Sequence, residues 1–243
     1  MSKALGIPLA KAASRIMTGT TIAQLKDEGL LPPSDGSRVP LDAPVAVKEA
    51  VLPFKRFRTA DGQTVDSVLG PEMRSTGEVM GIDRDFPTAF AKSQDAAYGG
   101  MPLTGTVFIS VADSDKRAVI LPAHRLQELG YKLVATEGTA EILARNGIAV
   151  DVVNKFSATQ ESGETNIVDL INAGEIDIVV NTPSGGMARA DGYEIRAAAV
   201  AGDKALFTTM AVLGAAVSAL PVLREGFRVR SLQEYAADRA ARA

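Results

Sequence analysis

The sequence contains no cysteine. That excludes a disulfide framework and any metal site built on thiolates. It contains one histidine, His124, so a histidine-based catalytic triad or a multi-histidine metal centre would lack partners. Neither sign of charge predominates. The 26 Lys and Arg nearly balance 29 Asp and Glu, for a net charge of −3. This speaks against a nucleic-acid surface spread over the whole molecule and leaves local anion sites open. Long hydrophobic runs are missing. The most apolar stretch, MAVLGAAVSALPV at 210–222, includes Gly214 and Pro221; it is too short for a membrane span and reads as a buried helix. The start, MSKALGIPLAKAASRIM, has no apolar core of about 7–15 residues behind a basic end, so a secretory signal is not expected. A cytoplasmic protein without a membrane or nucleic-acid partner is the expectation. No internal repeat, low-complexity tract, Walker-type loop or dinucleotide glycine motif is present.

What is present fits a globular chain of 243 residues, 46% hydrophobic and 23% charged, with room for one large domain or two modest ones. The two halves differ. In the first, residues 7–18 suggest a helix closed by Gly19, and LPPSDGSRVPLDAP at 31–44 reads as an exposed loop. Residues 45–57 look extended around Pro53, and 86–98 look helical. Few of these elements look able to complete a core alone, which suggests an appendage or a piece of something larger. In the second half, short apolar runs at 107–111, 133–135, 150–153, 176–181 and 205–208 alternate with helical stretches at 119–129, 140–146, 165–172, 193–199 and 209–220. Strands apolar on both faces and spaced by helices imply a doubly wound parallel five-stranded sheet, an α/β fold. Gly130, Gly147, Gly174 and Gly202 follow predicted helices, where a left-handed residue is expected. The boundary falls at 98–105, dividing the chain into 1–100 and 101–243.

Ligands of such sheets bind beyond the carboxyl ends of the strands. There the sequence places Lys116 and Arg117, then Thr136 and Thr139 at a helix start, Asn154 and Lys155, Asn181-Thr182-Pro183-Ser184, and Thr208-Thr209. Ammonium groups, hydroxyls and helix-start amides at one edge suit a phosphate. Asn181 and the residues after it could read a base or ribose. Each residue also has a plainer role: Lys116 and Arg117 as solvated charges, Thr136 and Thr139 as helix caps, 154–155 as a polar loop, 184–186 as a turn. Their coincidence on one edge carries the site hypothesis. Glu49, Glu72 and Glu78 with Lys48, Arg56 and Arg74 read as ion pairs, and His124 as a surface or partly buried histidine.

GIPLAKAASRIMTG (6–19), VKEAVLPFKRF (47–57) and LGPEMRSTGEVMGI (69–82) closely resemble consecutive segments at the end of the second ATP-grasp unit of the carbamoyl-phosphate synthase large chain. From about Thr106 the chain resembles the regulatory domain of that family, which has the methylglyoxal-synthase-like fold. ATEGTAEIL (135–143), VNK (153–155), IVVNTPSG (178–185) and FTT (207–209) fall in the family's order. The resemblance implies an α+β remnant of an ATP-grasp domain followed by an allosteric domain that senses nucleotides such as UMP or IMP, in pyrimidine and arginine biosynthesis. It implies phosphate contacts from Lys116, Thr136, Thr139 and Lys155, with base and ribose contacts from Asn181, Thr182 and Ser184. The implied partners are upstream synthetic domains and a glutaminase small subunit.

Departures from the pattern set limits. Pro183 replaces a second threonine after Asn181. Glu49 and Thr208 match positions of an ornithine site, but Leu206 and Phe207 replace its tyrosine and aspartate, so ornithine is not expected to act in the same way. ATP and magnesium ligands of the family lie in upstream units, so no catalytic residue, metal or cofactor is expected within these residues. A truncated piece whose N-terminal segment has lost its native packing surface is expected. Two other readings stay open. A methylglyoxal-synthase-type lyase acting on a triose phosphate would need a carboxylate beside the bound phosphate, where SATQESGETN at 157–166 offers Glu161 and Glu164 without that family's motif. A ligand-free oligomerisation module, a homo-oligomer through the apolar helix after Thr209, is the other.

Overall fold

The computed structural model describes residues 2–35, 43–57, 62, 65–68, 73–154, 165–182 and 186–240, as backbone alone at 186–191 and 239–240. Three short helices come first: α1 (Ser2–Leu5), α2 (Leu9–Met17) and α3 (Ile22–Asp27). Thr21 and Gln24 close a reciprocal capping box on α3, which satisfies amides a six-residue helix cannot pair internally. Arg15 and Glu28 form a two-bonded ion pair between α2 and the end of α3.

An antiparallel hairpin follows, β1 (Val45–Val51) with β2 (Gly77–Asp83), registered Val45 to Asp83 and Val51 to Gly77. The extended stretch anticipated at 45–57 therefore ends at Val51, and a single 3-10 turn occupies Phe54–Arg56. Helix α4 (Phe86–Tyr98) starts where Asp85 accepts the Thr88 amide at 2.8 Å and ends at left-handed Gly99, φ 78°.

The second half is a five-stranded, all-parallel sheet of β3 (Thr106–Ser110), β4 (Lys132–Ala135), β5 (Asp151–Val152), β6 (Ile178–Asn181) and β7 (Ala205–Phe207), in the order β5-β4-β3-β6-β7. Its helices are α5 (Ile120–Glu128), α6 (Glu137–Arg145), α7 (Ile167–Asn172), α8 (Gly186–Ala201), α9 (Met210–Glu225) and α10 (Leu232–Ala240). Successive strand residues face opposite ways, and the core divides accordingly. Val107, Ile109, Leu133, Ala135, Ile178 and Val180 meet α5, α6 and α9. Phe108, Val134 and Val179 meet Ile167 and Ile171 of α7 and Ile195 and Ala199 of α8. This is the doubly wound α/β sheet that the apolar strands demand.

Phe90 and Ala91 of α4 and Met101 join the first of these cores. The hairpin and α4 thus complete their burial against the parallel sheet's own helices. The chain's tail closes over the same region: the Tyr235 hydroxyl, buried on α10, donates to the Ile82 carbonyl at 2.9 Å.

Two local expectations change. Gly130, Gly147 and Gly174 have φ of 82°, 75° and 81°, but Gly202 does not. After α8 the left-handed residue is Asp203, φ 54°, and the Lys204 amide returns to Ala199. The reversal occurs one residue later because the Gly202 amide still bonds the Ala198 carbonyl as part of the helix. Helix α9 also continues through Pro221 instead of ending at Leu220. Val222 and Leu223 pack against the core, and that burial offsets the lost amide of an interior proline. His124 lies exposed on α5, 3.4 Å from Glu128. Among the described residues no helix is long and apolar enough to cross a membrane.

Candidate functional site

The chain runs from β3 outward to β4 and β5, then crosses back past β3 to β6 and β7. Winding therefore reverses between β3 and β6, and a crevice opens beyond their carboxyl ends, the usual ligand position in such sheets. Ser110 sits opposite Asn181 there. The Thr182 amide donates to the Ser110 carbonyl, and the Ala112 amide donates to the Thr182 hydroxyl at 2.9 Å. Next to β3, the Thr136 amide donates to the Ile109 carbonyl, and the Thr136 and Ser110 hydroxyls lie 3.2 Å apart. The Val111 amide donates to the Thr139 hydroxyl at 3.4 Å. Thr136, Thr139, Asn181 and Thr182 are all buried.

Thr136 precedes α6 at its N-cap position, yet its side chain makes no capping bond. Its hydroxyl is turned to Ser110 instead. The helix therefore presents amides that its own cap residue leaves unsatisfied. Lys116 comes to the same place from the loop after β3: a Cβ added at Gly138 would stand 3.3 Å from its Nζ. The ammonium pairs with Asp113 at 2.7 Å. A cation beside the positive end of a helix is a repulsive arrangement, and an anion between them relieves it.

Lys116, Thr136 and Thr139 thus converge at the start of α6, and Asn181 and Thr182 flank them across the end of β3. Lys155 and Ser184, the other expected contacts, lie outside the described residues. Asn154, just before Lys155, bridges to Asn166, whose side chain caps α7. Glu49 and Thr208 are brought together elsewhere, in a cavity of about 780 Å³ between the hairpin, α4 and β7 that Leu206 and Phe207 also line. Burial pushes the Glu49 carboxyl above its ordinary value despite a 3.0 Å bond from Gln94. Burial and the nearby Glu49 push the Tyr98 phenol up to about 12.

Three site residues escaped the sequence reading. Ser110 had a signal, as the hydroxyl ending an apolar strand. Arg196 was hidden in an apolar helical stretch, and Asp66 had no signal. Arg196 is fully buried. Its Nε and Nη2 donate to the two Asp66 oxygens at 2.7 and 2.5 Å, and its Nη1 donates to Asn181 Oδ1 at 2.7 Å. Burial pushes the Asp66 carboxyl up, but the Arg196 fork and the Val68 and Ser67 amides outweigh it, and the group stays below its ordinary value.

Fold and site together define a class of module, and residues 118–208 match the family model of the MGS-like domain. The similarity extends over the rest of the chain. The carbamoyl phosphate synthase large chain of Clavibacter michiganensis subsp. michiganensis is 70% identical over 243 residues, all of this chain and 22% of that relative. That of Kineococcus radiotolerans is 63% identical over 245 residues, with 98% of this chain and 22% of the relative covered. That of Mycobacterium tuberculosis is 57% identical over 239 residues, with 96% and 21% covered. The chain belongs to the carbamoyl phosphate synthase large-chain family, as its C-terminal region with an MGS-like domain. It spans about a fifth of the length of the curated relatives it matches.

Proposed function

We propose that this region is the allosteric, nucleotide-sensing part of a glutamine-hydrolysing carbamoyl phosphate synthase serving pyrimidine and arginine biosynthesis, and that it binds a nucleoside monophosphate such as UMP or IMP. The effector phosphate sits at the start of α6, against Lys116, Thr136 and Thr139, with Lys155 completing the charge. Asn181, Thr182 and Ser184 take the ribose and base. The observation carrying this reading is the Lys116 ammonium beside the amide end of α6, with two buried threonine hydroxyls, at the point where the sheet reverses. The Thr139 oxygen already accepts from Val111, so its proton remains for a phosphate oxygen.

Synthesis itself belongs to upstream ATP-grasp units and a glutaminase small subunit. Among the described residues no group of three or more His, Cys, Asp or Glu could hold a metal ion. Leu5, Ile16, Met17 and Ile22 are exposed on α1 to α3, which suits a surface that docks against those upstream units. Glu49 and Thr208 are read as vestiges of an ornithine site, because Leu206 and Phe207 supply no hydrogen-bonding side chain to that wall.

Titration calorimetry with UMP and IMP tests the reading. Thr139→Ala and Lys116→Ala are each expected to weaken binding by about 1–3 kcal/mol, the loss of a hydrogen bond to a charged group. Unchanged affinity in both variants would mean that the phosphate lies elsewhere. Absence of heat with either nucleotide would favour a ligand-free module.

A further inference from the structure

Arg196 is the only charged side chain buried among the described residues. Taking a guanidinium out of water is costly unless its donors are satisfied, and here one partner is near in sequence and the other far away. Asp66, 130 positions earlier, holds Nε and Nη2. Asn181, in the strand-end site, holds Nη1 through Oδ1. Gly192 makes the path possible, since a Cβ there would stand 2.3 Å from Arg196 Nη1 and 3.0 Å from Asn181 Oδ1.

The chemistry fixes more than position. Arginine donates and cannot accept, so the carboxamide oxygen of Asn181 must face it. The amide nitrogen, which has no partner among the described residues, is left as the group that Asn181 can offer to a ligand. We propose that Arg196 is a positioning residue for the strand-end site: anchored by Asp66, it commits Asn181 to present N–H donors, so that the site selects a ligand carrying an acceptor on its base or ribose. This rests on the nucleotide reading above and deepens it. It also links the N-terminal segment to the site. A ligand that accepts from Asn181 holds the arginine in place, and by reciprocity the Asp66–Arg196 fork raises affinity for that ligand.

Calorimetry on the full chain with UMP and inorganic phosphate separates this role from a merely structural one. Phosphate probes the α6 end alone, whereas the preference for UMP over phosphate reports the Asn181 side. Asn181→Asp keeps an oxygen for Arg196 but replaces the donor by a second acceptor. It is expected to cut the preference about tenfold, read as the ratio of the two affinities because the added carboxylate weakens the binding of both anions. Asp66→Asn loosens the fork and is expected to cut the same ratio by about three- to tenfold. Equal proportional losses for both ligands, or full retention of the preference in both variants, would overturn the positioning role while leaving the nucleotide site intact. A wild-type chain that shows no preference for UMP over phosphate, or binds neither, overturns both.

Discussion

Replacing Gly81 by alanine attacks the joint between the hairpin and the rest of the molecule. Gly81 lies on β2 where it presses against α4. A Cβ there would stand 1.9 Å from the Ala89 carbonyl oxygen, 2.7 Å from the Ser93 amide nitrogen and 3.0 Å from the Ala89 carbonyl carbon. All three are backbone atoms, so no side-chain rotation relieves the overlap. Restoring an ordinary contact of 3.4 Å requires strand and helix to part by about 1.5 Å. That separation strips contacts from a close-packed interface and pulls on Phe90 and Ala91, which α4 contributes to the shared core. Overpacking of this kind typically costs about 1–3 kcal/mol. The upper end is expected here, because the obstacle is rigid on both sides. At about 2–4 °C per kcal/mol for a chain of this size, the melting temperature should fall by roughly 6–12 °C. Urea denaturation followed by circular dichroism gives the free energy directly. Gly77→Ala is the control: it lies on the same strand with nothing within 4 Å of the added carbon, and little change is expected. A Gly81→Ala variant as stable as the Gly77→Ala one would refute the seating of β2 on α4.

Two further perturbations follow from local chemistry. Glu49 carries a carboxyl raised by burial, so its contribution to stability is complete below its unfolded value of about 4.3 and is lost as pH rises through the higher folded value. Glu49→Gln keeps an oxygen for Gln94 without the buried charge. It should therefore melt higher than the parent at pH 7, with the advantage gone by about pH 4; an equal advantage at both pH values would contradict the assignment. Asp203 occupies a left-handed conformation at φ 54°, and its carboxylate is 81% exposed in its pair with Lys55. Glycine removes a strain of about 1 kcal/mol and forfeits an exposed pair of little worth. Asp203→Gly should gain up to about 1 kcal/mol in thermal denaturation, and a loss would mean that the Lys55 contact outweighs the strain.

The segment from 43 to 98 shows how tertiary context completes weak local signals. Val45–Val51 and Gly77–Asp83 are separated by 25 residues, so no turn motif announces their pairing, and neither strand has a long alternating pattern. Their partner surfaces are α4 and, through it, α9. Tyr235, from the far end of the chain, caps the arrangement through Ile82. Nothing local to any one of these segments requires the others.

The parallel sheet follows from the amino-acid order alone, because strands such as Val107–Ile109 and Ile178–Val180 are apolar on both faces and must be covered on both. The same order also determined that Lys116, Thr136, Thr139, Asn181 and Thr182 follow those strands, since chain order alone sets which residues emerge at the carboxyl edge. The structure decided what the order of residues leaves open. It placed β3 and β6 side by side, so that Ser110 faces Asn181. It turned the Thr136 hydroxyl away from its helix, and it ran α9 through Pro221. It also buried Arg196 between Asn181 and Asp66. These outcomes depend on packing and on hydrogen bonds between residues far apart in the chain, which spacing and composition do not encode.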